Sequence, residues 1–236
     1  MDGRMPLMWI LGIDTSSPKG SIALTLKDKI ISERSLANKA SFSKYLFSSL
    51  DSILQEVNLE ISKIDAFAVS IGPGSFTGLR VGLSTALGLS LAQKKPVIPI
   101  ETLYAMAHTI PVTEFVICPI LDARKGEVYT SFFQYDNNKQ LCQLVEDRAI
   151  KPEILINEIK KPTIFFGTGV DAYEGVLKKK LGHIAIFNQC YLNTVAGSAA
   201  ILGGEKFEMG EGQRVSNQLK PKYIRHSEAE VRLARA

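Results

Sequence analysis

Little in this chain invites a metal, covalent or membrane reading. Of its 236 residues, three are histidine and three are cysteine. His108, His183 and His226 form no H-x-x-x-H or H-E-x-x-H pair. The roughly three protein ligands that hold a metal-activated water are therefore not visible together. Cys118, Cys142 and Cys190 are odd in number, widely spaced and free of any C-x-x-C pair. That argues against a disulfide framework and a cysteine zinc site, and leaves reduced, structural thiols. No G-x-S-x-G elbow supplies a nucleophilic serine. No apolar run reaches the roughly 20 residues that span a bilayer. The apolar patch in MDGRMPLMWILGID runs directly into a motif and reads as a first strand rather than a signal peptide, so a cytoplasmic compartment is expected. Charge is sparse too. A net charge of +4 and a pI near 8.9 are too weak to argue for nucleic-acid binding by themselves. The densest basic run, Lys178-Lys179-Lys180, reads as a solvated helix end.

What remains is an ordinary soluble composition, 45% hydrophobic and 22% charged. The length suits one or two domains, since single cores seldom grow much beyond roughly 250 residues. Met8–Ile13, the polar turn Asp14–Gly20 and Ser21–Leu26 read as strand, turn and strand, and a third strand follows around Lys29–Leu36. Ser41 is placed to cap a helix to Val57, whose Phe42, Leu46, Leu50, Ile53, Leu54 and Val57 recur at helical spacing. Ile64–Ser70 is a strand that enters a second helix, ending at Gln93, through Gly72-Pro73-Gly74. Val97–Ile100 reads as a strand and Glu101–His108 as a helix. The opening pattern then restarts: Val116–Leu121 ends at Asp122, Ala123–Gly126 turns, and Glu127–Phe133 alternates. Strand, aspartate, glycine turn, strand, met twice, points to an internal duplication. The second half continues with a strand at Thr163–Phe166, Gly167-Thr168-Gly169 opening a helix to Lys180, a strand around His183–Phe187 and a helix over Thr194–Glu208. Such alternation predicts mixed α/β sheets.

Gly72 and Gly74 stand between a strand and a helix, where free N–H groups and the helix dipole favour an anion. The stricter tests fail. A phosphate-cradling loop needs lysine after its last glycine, and Leu79 follows Gly78; a dinucleotide fingerprint needs a third glycine where Thr77 stands. A tight turn with Ser75 as N-cap is an equal alternative. Gly78, Gly82 and Ala86 share one helix face and open it to another backbone, either the preceding helix or another protein. Each helical glycine costs roughly 1 kcal/mol against alanine, so the row asks for a packing or ligand reason. Asp14 and Asp122 end strands where a carboxylate can hold magnesium or act as a base, but the commoner role is to accept hydrogen bonds from the next turn.

Four segments together resemble the TsaB (YeaZ) family: GIDTSS from Gly12, SIGPGSFTGLRVGLSTALGLSLA from Ser70, LDARKGEVY from Leu121 and PKYIR from Pro221. Their order and spacing match over nearly the whole chain. The resemblance implies a duplicated actin-like α/β fold of the ASKHA, ribonuclease H-like kind, with two mixed-sheet lobes flanked by helices. The lobes would be 1–112 and 113–236, with the last helix or tail a candidate to return to the first. It implies an accessory role: binding and activating TsaD, which transfers a threonylcarbamoyl group to adenine N6 in ANN-decoding tRNAs. The ATPase TsaE would join, tRNA would be met indirectly through the complex, and the chain alone would form a homodimer. No membrane partner is implied. No catalytic residue and no metal are expected of the chain itself, and ATP or ADP with magnesium only in the complex. The positions of TsaD's paired metal-binding histidines fall on Thr102 and Met106. The family's contact surface, a bundle of the first two helices of each protein, falls on Phe42, Leu46, Ser49, Ile53, Phe76, Gly78, Leu79, Gly82, Leu83 and Ala86. Residual nucleotide contacts would fall on Asp14, Thr15, Ser16, Gly72, Gly74 and Ser75, with Gly167-Thr168-Gly169 at the adenosine position. Two other readings stay open. One is a small-molecule kinase, with Asp14 and the Gly72 loop holding Mg-ATP. The weaker one is a glycoprotease-like metallopeptidase.

Overall fold

The computed structural model describes residues 7–36, 42–188, 195–212 and 219–225, with the side chains of 42–44 left aside. The predicted cap Ser41 and the side chain of Phe42 lie outside the described residues, as do Cys190 and His226. The first half builds a sheet in the order β3-β2-β1-β4-β5. Its strands are β1 (Trp9–Asp14), β2 (Gly20–Leu26), β3 (Lys29–Leu36), β4 (Ala66–Gly72) and β5 (Val97–Glu101). Three antiparallel strands come first, and β4 and β5 then run parallel to β1. Helix α1 (Phe42–Glu56) precedes β4, α2 (Phe76–Gln93) follows it, and α3 (Thr102–His108) follows β5.

The second half repeats this plan strand for strand. Its sheet has the order β8-β7-β6-β9-β10, from β6 (Val116–Arg124), β7 (Glu127–Tyr135), β8 (Leu141–Ile150), β9 (Thr163–Phe166) and β10 (Ala185–Phe187). Helices α4 (Pro152–Glu158), α5 (Thr168–Leu181) and α6 (Val195–Glu208) take the places of α1, α2 and α3. The duplication read from two hairpins is thus complete at the level of topology. The fold is the expected pair of mixed sheets with helices. Sequence reading passed over β8 and α4. β8 is an edge strand that fully buries only Leu141 and carries no apolar run. α4 is short, and its clearest signal is Pro152 at its first position.

Alternation along β1 and β4 divides the molecule into layers. Leu11, Ile13, Phe67 and Val69 face α1 and α2, joined there by Leu46, Leu50, Ile53, Leu83, Ala86 and Leu89. Ile10, Ala66 and Ala68 face the other way, onto α3 and α6, and that central layer reaches Ile117, Leu121, Phe133 and Phe166 of the second sheet. A third cluster seals α4 and α5 onto the outer face of that sheet through Cys118, Ile120, Leu155, Phe165 and Leu177. Strands buried on both faces read as continuous apolar runs, as β1 and β4 do. α6 packs on β1, β2 and β4 of the first sheet. Its small residues allow the approach, since a Cβ on Gly12 would collide with the Ala196 carbonyl.

Candidate functional site

The strand-to-turn corner at Asp14 and the loop at Gly72 meet, as the motif reading required, but they close on each other. The Ser75 N–H donates to the Ser16 carbonyl at 2.6 Å, and the Thr15 hydroxyl donates to the Gly78 carbonyl at 2.7 Å. Ser75 is the N-cap, its hydroxyl accepting from the Gly78 N–H at 3.3 Å. The Ser75 and Gly78 N–H groups at the head of α2 are therefore satisfied by the chain itself. A Cβ on Gly74 would collide with the Ser16 carbonyl. Asp14 is 1% exposed, and its carboxylate accepts from the Ser16 N–H at 3.3 Å, the turn-stabilising arrangement. Burial pushes its carboxyl above the ordinary range. Asp122 does the same for the Arg124 N–H at 2.8 Å, but in an exposed position. In the second half, Gly167 has φ +107 and presses on the Ile120 carbonyl, so its glycine serves packing against β6.

The row Gly78, Gly82, Ala86 faces the interior of the chain itself. All three are buried, and a Cβ on Gly78 or Gly82 would collide with the carbonyl or hydroxyl oxygen of Thr15. At both glycines the group that comes close belongs to Thr15 in the chain's own first turn. Leu46, Ile53, Leu79 and Leu83 are also core residues, at most 5% exposed. Ser49 and Phe76 are half-buried. The outer side of α2 is a different stripe: Thr77, Val81, Ser84, Gly88 and Leu91, spaced four and three apart. Leu91 is 68% exposed, and a Cβ on Gly88 would meet nothing within 4 Å. Arg80 is the only charged residue in all 18 positions of α2. A helix uncharged all round is normally covered on both sides. That missing charge was the signal available in the sequence.

The tail carries more structure than its motif suggested. The Lys222 N–H donates to the Ile71 carbonyl at 2.7 Å, and the Lys222 carbonyl stands where a Cβ on Gly72 (φ +126) would be. The Lys222 ammonium donates to Glu101 at 2.9 Å and to Asp147 of β8 at 3.1 Å. Burial alone would lower that ammonium, but these two carboxylates hold it above its usual range. Tyr223 stacks on Phe76 with centroids 4.9 Å apart, and its hydroxyl accepts from Arg80 at 3.0 Å. Arg225 donates to the Ala123 carbonyl at 3.1 Å and pairs with Glu127 at 3.0 Å. Residues 221–225 thus strap the ends of β4, β5 and β6 together, beside the closed corner.

The positions where a transferase would place imidazoles have other work. The Thr102 hydroxyl accepts from the Gly72 N–H at 3.0 Å, and Met106 is core. His108 sits 2.9 Å from the Ser198 hydroxyl, and burial lowers its pKa. Cys118 is buried 3.3 Å from the Thr130 hydroxyl, and desolvation pushes its thiol up to about 12. Among the described residues, no group of three His, Cys, Asp or Glu side chains stands together as metal ligands, and no helix is long and apolar enough to cross a membrane.

Known proteins place this geometry. Residues 29–233 match the family model described as TsaD, tRNA N6-adenosine threonylcarbamoyltransferase. The chain is 31% identical to the tRNA threonylcarbamoyladenosine biosynthesis protein TsaB of Bacillus subtilis, over 95% of this chain and 97% of that one. With the TsaB protein of Haemophilus influenzae it shares 33% identity, over 81% of this chain and 86% of that one. Its fold superposes on YeaZ from Pseudomonas aeruginosa with a TM-score of 0.74 at 24% identity, covering 92% of this chain and all of that one. An activator of the 2-hydroxyisocaproyl-CoA dehydratase of Clostridium difficile follows at 0.53 and 12% identity, a likeness of fold alone. With TsaB proteins matched along almost their full length, the chain belongs to the TsaB (YeaZ) family of tRNA threonylcarbamoyladenosine biosynthesis proteins.

Proposed function

We propose that this chain serves tRNA threonylcarbamoyladenosine synthesis as a non-catalytic subunit that docks on a TsaD-type transferase through the outer stripe of α2. The observation that carries the reading is that stripe: Thr77, Val81, Ser84, Gly88 and Leu91 form a small, uncharged helix seam open to solvent. Small residues at spacings of four and three receive a second helix at close range. Exposed Tyr45 and Phe47 on α1 extend the apolar border. The same stripe pairs two copies of this chain when the transferase is missing. A TsaE-type ATPase joins the assembly, tRNA substrate is held chiefly by the transferase, and ATP or ADP with magnesium belongs to the complex. The kinase reading has less support. Its cleft is occupied by the turn at Thr15 and the strap at Lys222, and burial favours the neutral form of Asp14.

Reconstitution tests the role: tRNA, threonine, bicarbonate and ATP with the other pathway proteins, with and without this chain. Modification is expected only with it, and turnover by this polypeptide unaided would end the proposal. Gly88→Glu tests the surface. It places an unpaired charge at a desolvated seam, and each 1.4 kcal/mol lost is tenfold in affinity, so capture of the transferase should fall by at least about tenfold. The circular dichroism spectrum should stay native, because the site is empty of neighbours. Undiminished capture would move the interface elsewhere.

A further inference from the structure

We infer that the end of the second sheet remote from the strap is a contact surface for the phosphodiester backbone of RNA, so that this chain touches tRNA itself. The inference deepens the proposed role in tRNA modification and rests on it for the choice of ligand. The sequence alone showed only one basic run; topology brings a second beside it. β9 and β10 run parallel with Thr163 opposite Ala185, so the segments that enter them lie at one edge. Lys160 and Lys161 enter β9, while Lys178, Lys179 and Lys180 occupy the last turn of α5, just before β10. All five are exposed, and among the described residues none of their ammonium groups makes an ion pair or hydrogen bond.

Register extends the strip. β6 starts beside β9, β7 ends beside the start of β6, and the turn from β7 to β8 carries Lys139 to the same end. Neighbouring strands are about 4.8 Å apart, so the lysines span a band on the order of 15–20 Å. Acids there do not balance them. Glu158 is already paired with Arg148, and Asp136 accepts the N–H groups of its own turn at 2.8 Å. Glu174, one turn back on α5, is half-buried, and Glu114 before β6 is exposed but is one acid against six lysines. Cations at a helix C-terminus also complement its dipole, which accounts for part of the α5 run but not for Lys160 or Lys161 in the loop before β9. A row of unpaired ammonium groups fits a chain of fixed, regularly spaced negative charges. This end lies away from both Asp122 and the α2 stripe, so RNA and transferase can be held together.

The test is fluorescence anisotropy of the purified chain with an unmodified tRNA transcript across a salt series. Five phosphate contacts predict a slope of log affinity on log salt near −4, and roughly a 200-fold loss between 50 and 200 mM salt. Lys178→Gln, Lys179→Gln and Lys180→Gln together should flatten the slope by about 2.4. The loop pair Lys160→Gln and Lys161→Gln, which leaves every helix untouched, should flatten it by about 1.6. Binding unchanged in both variants, or absent in the wild type, would overturn the inference. So would tighter binding to vesicles containing anionic phospholipid than to tRNA, since the surface would then be a membrane contact. Anisotropy on the isolated chain does not depend on the transferase, so the reconstitution result and this one fail separately.

Discussion

Three glycines in one helix should respond to the same substitution in three ways. Gly78, Gly82 and Gly88 all lie in α2, and helix propensity alone says each change to alanine gains about 1 kcal/mol. At Gly88 a Cβ meets nothing within 4 Å, so the full gain is expected, roughly 0.5–1 kcal/mol. At Gly82 the obstacle is the Thr15 hydroxyl, which can swing away only by giving up its 2.7 Å bond to the Gly78 carbonyl. Losing that bond costs about 1 kcal/mol, and the change should come out near neutral. At Gly78 the obstacle is the Thr15 backbone carbonyl, which cannot rotate aside. Forcing backbone apart in a close-packed site costs about 1–3 kcal/mol, and stability should fall despite the better propensity. Urea and thermal unfolding followed by circular dichroism would read the series, with 1 kcal/mol moving Tm by about 2–4 °C in a chain of this length. If all three alanine variants gained stability equally, the first turn would not press on α2, and the account of the closed corner would be wrong.

Asp14→Asn should stabilise the chain at neutral pH. Burial raises the native carboxyl above its unfolded value, so the native state binds the proton more tightly and stability falls as pH rises past the ordinary carboxylate range. The amide keeps the acceptor for Ser16 without the charge; a Tm lower than wild type at pH 7.5 would contradict this. Glu33, raised to about 7 by desolvation, acts with the same sign between pH 4.5 and 7. Glu33→Gln should flatten Tm against pH across that window, and an unchanged slope would refute the assignment. Tyr223→Ala removes the stack on Phe76 and the bond from Arg80, interactions worth about 1–2 kcal/mol. Faster proteolysis near Pro221 with unchanged global unfolding is the expected outcome, and unaltered cleavage would mean that the strap is not held there.

Elements whose apolar pattern was strong were legible in sequence. The α1 stripe, the buried runs of β1 and β4, and the Ser75 cap all follow from period and chemistry in a single segment. The repeated aspartate-turn hairpin carried the duplication, because one hairpin per half survives as pattern. What stayed hidden depends on two distant segments meeting. The Gly78–Gly82 row demands a close neighbour, but nothing local says that the neighbour is Thr15, some 63 residues upstream. The same holds for Lys222, whose partners Glu101 and Asp147 come from opposite halves. β8 was invisible because an exposed edge strand needs no hydrophobic period.

The duplication supplies an internal control for the docking argument. α2 and α5 hold equivalent places, each following the central parallel strand of its sheet and packing on the outer face. Local fold is alike, so differences on their outer sides are not demands of the fold. α5 shows solvent Asp171, Lys178, Lys179 and Lys180, as a free surface helix does. α2 in the same position offers threonine, serine, glycine and leucine along its outer stripe. A helix in that place can be charged and stable, as α5 demonstrates, so the fold does not impose the neutrality of α2. That contrast supports the proposed docking of a second helix on its outer stripe.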